Sequence, residues 1–183
     1  MSLSAASNAR TGPSALPAPG MSSVSRLITW VNDIFERIPY SLIALLARFS
    51  IAAVFWNSGQ TKITGFAMNI ATGEFAIGWP RLSDSALTLF QYEYNLPFIA
   101  PTVAAPMAAM AEHLFPLLLL IGLGTRLSAL SLLIMTLVIQ VFVYPGAYAT
   151  HGTWAALLLL LMSRGAGAIS VDHWIARRHR SPV

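Results

Sequence analysis

The chain has 183 residues, 56% of them hydrophobic and only 10% charged, with a formal net charge of +4 and no cysteine; its mean hydropathy is +0.64. Soluble domains carry about 25% charged residues, so the composition excludes an ordinary soluble domain and points to one small helical membrane domain. The arginines gather toward the chain ends and form no dense basic face, which excludes nucleic acid as a partner, and the lack of cysteine excludes disulfides, Cys-ligated zinc, iron–sulfur clusters and thiol redox chemistry within the chain.

Residues 1–22, rich in Ser, Ala and Pro, lack the apolar core of a signal peptide and read as a disordered tail, with Met21 an alternative start. In 23–38, Leu27, Val31, Ile34 and Ile38 recur at helical spacing, while Arg26, Asn32, Asp33, Glu36 and Arg37 fall largely elsewhere around the helix. This predicts an amphipathic helix lying on the membrane, with Trp30 at interfacial depth. A solvent-side packing helix is the alternative, and Pro39 separates either one from the first apolar span.

Four apolar stretches come next, at 40–56, 102–123, 127–144 and 147–163. A membrane span needs about 20 residues, with 17 tolerated. The second and third meet this readily, the first carries Arg48, and the fourth is strongly apolar only over 154–162. Gly124, Thr125 and Arg126 leave room only for a tight turn, so the second and third spans are antiparallel neighbours.

The cations set the orientation. Arg10, Arg26, Arg37, Arg126, Arg164, Arg177, Arg178 and Arg180 fall on one side, and only Lys62 and Arg81 on the other. The positive-inside rule then places both termini in the cytoplasm of a bacterial inner membrane. The connection 57–101 lies outside, where Ser83 or Asp84 is expected to cap a helix through Leu87, Phe90 and Tyr94. Trp79, Phe90, Tyr92, Tyr94 and Phe98 make this segment aromatic, which suits either a lid or a plain interfacial belt.

Ionisable groups inside a bilayer cost several kcal/mol, roughly 2.5 to 3.5 on insertion scales, and so mark pockets or partners. Glu112 lies 14 residues before Arg126, Gln140 14 after it, and His151 13 before Arg164. At about 1.5 Å per residue, each sits roughly 20 Å above the inner boundary. Arg48, 11 residues beyond Arg37, starts near 16 Å by the same rise, and its side chain can extend outward. Arg48, Glu112, His113, Gln140 and His151 are thus expected to share one layer, although Glu112 and His113 point about 100° apart around their helix.

Three readings of that layer stay open. Arg48 and Glu112 can form a structural ion pair that fastens the first two spans. They can instead floor a polar pocket that binds the head of a quinone or a small oxyanion and passes protons to it. A copper or zinc site using His113, His151 and Glu112 is the third, without any H-x-x-x-H spacing to support it. His173 and His179 belong to the basic C-terminal segment, where solvent or lipid is their expected surrounding.

Arg48, then Asn57-Ser-Gly-Gln-Thr-Lys62, then the run from Ala111-Glu112-His113 through Gly124-Thr125-Arg126, and finally Gly165-Ala-Gly-Ala-Ile-Ser170-Val-Asp172 together resemble the DoxX family. The likeness extends from about residue 38 to 173 and implies a small four-helix membrane protein. Tyr92 to Pro97, Ile139 to Pro145 and His151 to Trp154 resemble a branch associated with peptide-modifying enzymes and metal-handling operons. Family members resemble subunits of membrane oxidoreductase complexes, which implies a redox role on Arg48, Glu112 and His113. In the closing motif, Ser170 and Asp172 are expected to cap a segment over 171–178 whose arginines meet anionic lipid, with an anion-binding nest as the alternative.

The expected architecture is an all-α, left-handed four-helix transmembrane bundle with an N-terminal interfacial amphipathic helix. Its parts are a disordered tail (1–22), the interfacial helix (23–38), the membrane domain (39–175) and a basic tail (176–183). The expected function is an accessory subunit of a membrane oxidoreductase, quinone-linked and dependent on a protein partner or redox complex, since the chain offers few cofactor ligands of its own. A metal-handling or small-molecule transport component and a purely structural assembly protein are the alternatives. Gly and Ala on the spans suit close contacts within one chain or in a homo-oligomer.

Overall fold

The computed structural model describes residues 23–69 and 72–179. The expected disordered tail and the last residues of the basic tail lie outside the described residues. Residues 1–38 and 39–183 form two separate units. In the first, α1 (Ser23–Glu36) is amphipathic, with no buried residue and with Leu27, Ile28, Trp30, Ile34 and Phe35 all exposed.

The second unit is built on α2 (Tyr40–Gln60), α4 (Pro101–Ile121), α5 (Thr125–Val138) and α6 (Tyr148–Arg164). Helix α5 continues as a π-helical turn, Ile139–Val143. Each helix packs on the next, α2 on α4, α4 on α5, α5 on α6 and α6 on α2, closing a bundle. Where no water can satisfy the backbone, helices are the form that bonds every amide internally. Helices α2, α4 and the continuous stretch Thr125–Val143 are long and apolar enough to cross a membrane. Helix α6, with 17 residues, is shorter. Fold class and membrane character thus agree with the sequence reading, three of the four expected spans reaching full length.

The packing is inverted relative to a soluble protein. On α4 the exposed face reads Val103, Met107, Met110, Leu114, Leu117 and Ile121, a stripe at three- and four-residue spacing suited to lipid. The buried face carries Ala104, Ala105, Ala109, Glu112, Pro116 and Leu119. Small residues let backbones approach closely, and Ala44, Ala47 and Ala129 do the same in the central core around Ile51, Phe55, Leu132, Leu158 and Leu161.

Two ends of the bundle are distinct. At the turn end, Gly122 closes α4 with φ 72° and Gly124 precedes α5 with φ 56°, a left-handed backbone that glycine adopts without strain. The Asp172 carboxylate accepts hydrogen bonds from Gly124 N (2.8 Å) and Thr125 N (2.9 Å). Asp172 therefore caps α5, whose free N–H groups and positive dipole end favour an anion. The last helix, α7 (Val171–His179), is capped by Ser170, which accepts from His173 N. The expected shared role of Ser170 and Asp172 is corrected in this respect.

At the loop end, four short strands that the sequence reading lacked form two antiparallel pairs. β1 (Ile63–Thr64) pairs with β4 (Arg81–Leu82), and β2 (Ala67–Asn69) with β3 (Glu74–Ala76). Ser83 then caps α3 (Asp84–Thr88) by accepting from Ala86 N, as expected, and the chain runs on through a π-helical turn, Leu89–Tyr94. Phe90 and Tyr94 pack down on Ala104 and Ala105 of α4. Trp79, Tyr92 and Phe98 stay exposed, so the aromatic set divides between a packed roof and a bare rim.

Candidate functional site

Glu112 lies on the buried face of α4 at 3% exposure, and its partner is Lys62, at 2% exposure. Lys62 follows the end of α2, and its chain folds back so that Nζ lies 2.7 Å from Glu112 Oε2 and 3.0 Å from Oε1. The ammonium also donates to the Ser58 carbonyl (3.2 Å) and Ser58 Oγ (3.0 Å), and that hydroxyl donates to Glu112 Oε1 at 3.1 Å. Every proton of the ammonium is used, as a buried charge requires. Glu112 Oε2 touches the ammonium but receives no aligned hydrogen bond, which leaves a lone pair open to a further donor.

His113, the next residue, turns to a different neighbourhood. Its Nδ1 lies 2.6 Å from the Ala109 carbonyl and its Nε2 2.9 Å from Gln60 Nε2. A carbonyl can only accept, so Nδ1 carries the proton and Nε2 accepts from the Gln60 amide. The Gln60 orientation is fixed in turn, because its Oε1 accepts from Met68 N at 2.8 Å. Trp56 packs against the imidazole with ring centroids 5.0 Å apart and donates to the Met68 carbonyl.

Gly59 brings these groups together. A Cβ there would stand 2.8 Å from His113 Cε1, 2.9 Å from Nδ1 and 3.1 Å from Glu112 Cβ. Pro116, one turn on, has no N–H with which to bond the Glu112 carbonyl, so the helical ladder lacks a rung beside the site. An apolar groove of about 320 Å³ runs along the α2–α4 seam, with Phe49, Ala52 and Leu117 in its walls and Trp56, Asn57 and Met68 at its loop end.

The expected layer does not form as one set. Arg48, 1% exposed, turns away from Glu112 and donates to the carbonyls of Leu119 (3.3 Å), Leu120 (3.2 Å) and Ile169. It thereby bonds the last carbonyls of α4, that of Leu119 being shared with Gly122 N. The depth estimate counted a continuous helix from Arg37, whereas α2 starts only at Tyr40. Side chains also lean toward the N-terminus of their own helix. On antiparallel α2 and α4 that sends Arg48 to the turn end and Glu112 to the loop end.

Gln140 and His151 do meet, on α5 and α6. His151 Nδ1 donates to Gln140 Oε1 (2.7 Å), and Gln140 Nε2 donates to the Pro145 carbonyl (2.6 Å). His151 also packs on Trp154, whose ring meets Phe55. Among the described residues no group of three or more His, Asp or Glu is placed to hold a metal, so Glu112, His113 and His151 do not assemble as a ligand set. Above this, Tyr144 donates to Glu93 and packs edge-on against Tyr94. Burial pushes the Tyr94 phenol above its ordinary value, and the hydrogen bond to Glu93 pushes that of Tyr144 up further.

Sequence reasoning missed Lys62 as the partner of Glu112, counting it among the cations of the outer side and in the motif from Asn57 to Lys62. One signal was present: Lys62 is the only lysine in a chain whose other basic side chains, histidines aside, are arginines.

A family model described as DoxX matches residues 43–145, more than half of the chain, and takes in Arg48, Lys62, Glu112, His113 and Gln140 but not His151. No curated protein and no solved structure matches the chain.

Proposed function

The chain belongs to the DoxX family, and on that premise we propose that it is an integral membrane subunit of a redox pathway that binds a quinone head at the Lys62, Glu112, His113 and Gln60 cluster. The observation that carries this reading is the open lone pair of Glu112 Oε2, an acceptor that suits the hydroxyl of the reduced, quinol head, in a buried, charged site beside an apolar groove. A quinone needs both: polar groups for its oxygens and an apolar channel for its isoprenoid tail. Trp56 and Met68 join the two, since each lines the groove and each bonds or packs on the His113–Gln60 pair or its neighbour.

Reduction of a quinone to a quinol takes up two electrons and two protons. In the reverse direction a protein partner takes the two electrons, the Glu112 carboxylate accepts one proton from the quinol hydroxyl bonded to it, and the second proton leaves to water at the loop end, while His113, its two ring nitrogens bonded to Ala109 and Gln60, holds the shape of the site. The charge asymmetry of the flanking segments supports a cytoplasmic-membrane protein with four spans and both termini inside, so that this site opens toward the outer face. Within this reading, α1 lies on the cytoplasmic interface.

A structural reading is favoured by one observation, the tight Gly59 contact, which makes Lys62–Glu112 a fastener of α2 to α4. Mass spectrometry of the gently solubilised complex separates the two. The redox reading expects a quinone and a partner chain that are lost together with Glu112→Gln; a bare chain with neither, in membranes that contain quinone, contradicts it.

A further inference from the structure

The turn end of the bundle holds a second, independent site. Arg48 is a buried cation whose acceptors are all neutral carbonyls, and its Nε has no hydrogen-bond partner. It lines a cleft of about 420 Å³ with Leu45, Ile121, Ile169, Ser170 and Trp174. The carboxylate at this end, on Asp172, is committed to the backbone of Gly124 and Thr125. Asp172 acts on the guanidinium only through space, its oxygens being bonded to the α5 amides, so Nε–H remains an unfilled charged donor that suits a phosphate oxygen.

We propose that this cleft binds one anionic phospholipid, its phosphate entering to meet Arg48 and an acyl chain lying on the apolar wall. A free phosphate does not need Leu45, Ile121 and Ile169 around it; a lipid does. Trp174, half exposed and stacked under the Arg178 guanidinium at 3.9 Å, is an amphipathic ring of the kind that sits at headgroup depth. Arg177 and His179 follow on the same short helix, and basic groups on this side favour the anionic leaflet.

Native mass spectrometry of the full chain in detergent tests this, with phosphatidylglycerol, phosphatidylcholine of the same acyl chains, and inorganic phosphate as probes. One phosphatidylglycerol is expected to bind about tenfold more tightly than phosphatidylcholine, which carries the same phosphate but sets a choline cation against Arg48 and its basic neighbours. Millimolar phosphate is expected not to displace it. Arg48→Gln, which removes the charge, and Ile169→Trp, which fills the cleft and leaves Arg48 and its backbone partners in place, are both expected to abolish that preference. Equal binding of the two lipids, displacement by phosphate, or an Ile169→Trp variant that keeps the wild-type preference overturns the assignment.

Discussion

Lys62 Nζ and Glu112 Oε2 stand 2.7 Å apart with both side chains withdrawn from solvent. The contact ties the segment after α2 to the middle of α4, 50 residues on. Burying two charges costs several kcal/mol per ion, and their attraction offsets this only when the remaining protons and lone pairs are satisfied. Ser58 supplies most of that satisfaction through its hydroxyl and carbonyl.

Removing one partner is therefore worse than removing both. Lys62→Met leaves the Glu112 carboxylate buried and unpaired and is expected to destabilise the protein by about 3 kcal/mol or more. Lys62→Met combined with Glu112→Leu is expected to recover most of that loss. Thermal unfolding in detergent measures both.

Arg48 and Glu112 act at opposite ends of the bundle, so their effects should be independent. Arg48→Met removes the donors to the Leu119, Leu120 and Ile169 carbonyls and is expected to cost at least about 2 kcal/mol. A double-mutant cycle with Glu112→Gln should show a coupling below about 0.5 kcal/mol. A larger coupling would mean that the two side chains meet.

Gly59→Ala places a methyl within 2.9 Å of the His113 ring nitrogen Nδ1. The expected result is a loss of about 1 to 3 kcal/mol through overpacking, together with weaker ligand binding as His113 leaves the Ala109 carbonyl. Unfolding and binding measured on the same sample check that the two losses move together.

The Tyr144 contact with Glu93 predicts a pH dependence at the roof. The hydrogen bond holds the phenol protonated above its ordinary range, so the folded-state value exceeds the unfolded one. The contact is fully present below about pH 10, the ordinary phenol value, and is lost as pH rises through the folded value. Ultraviolet titration should show Tyr144 ionising after the other tyrosines, Tyr94 included, and Glu93→Gln should bring it back toward them.

Much of the fold was legible because apolar length and helical spacing are written directly in the residues. The three full-length spans, the tight turn at Gly124 and the Ser83 cap followed from such signals, whereas the hydrogen bond between Gln140 and His151 needed the helix rotations that depth along the chain does not give. The Arg48–Glu112 pairing failed for two physical reasons: Pro39 restarts the helix, and antiparallel helices lean their side chains in opposite directions. Lys62 was hidden because residue spacing does not show that a chain folds back after a helix end. The short strands of 63–82 escaped for a similar reason, having only two or three residues each and no alternating pattern long enough to read.

The central claim is that the Lys62 and Glu112 cluster binds a quinone head as well as fastening two helices. Quinone titration of the purified wild type and the Lys62→Met, Glu112→Leu double variant, followed by tryptophan quenching at Trp56 beside His113, tests it most directly. One saturable site in the wild type, lost in a double variant that remains folded, is the predicted result; equal quenching in both would contradict the claim.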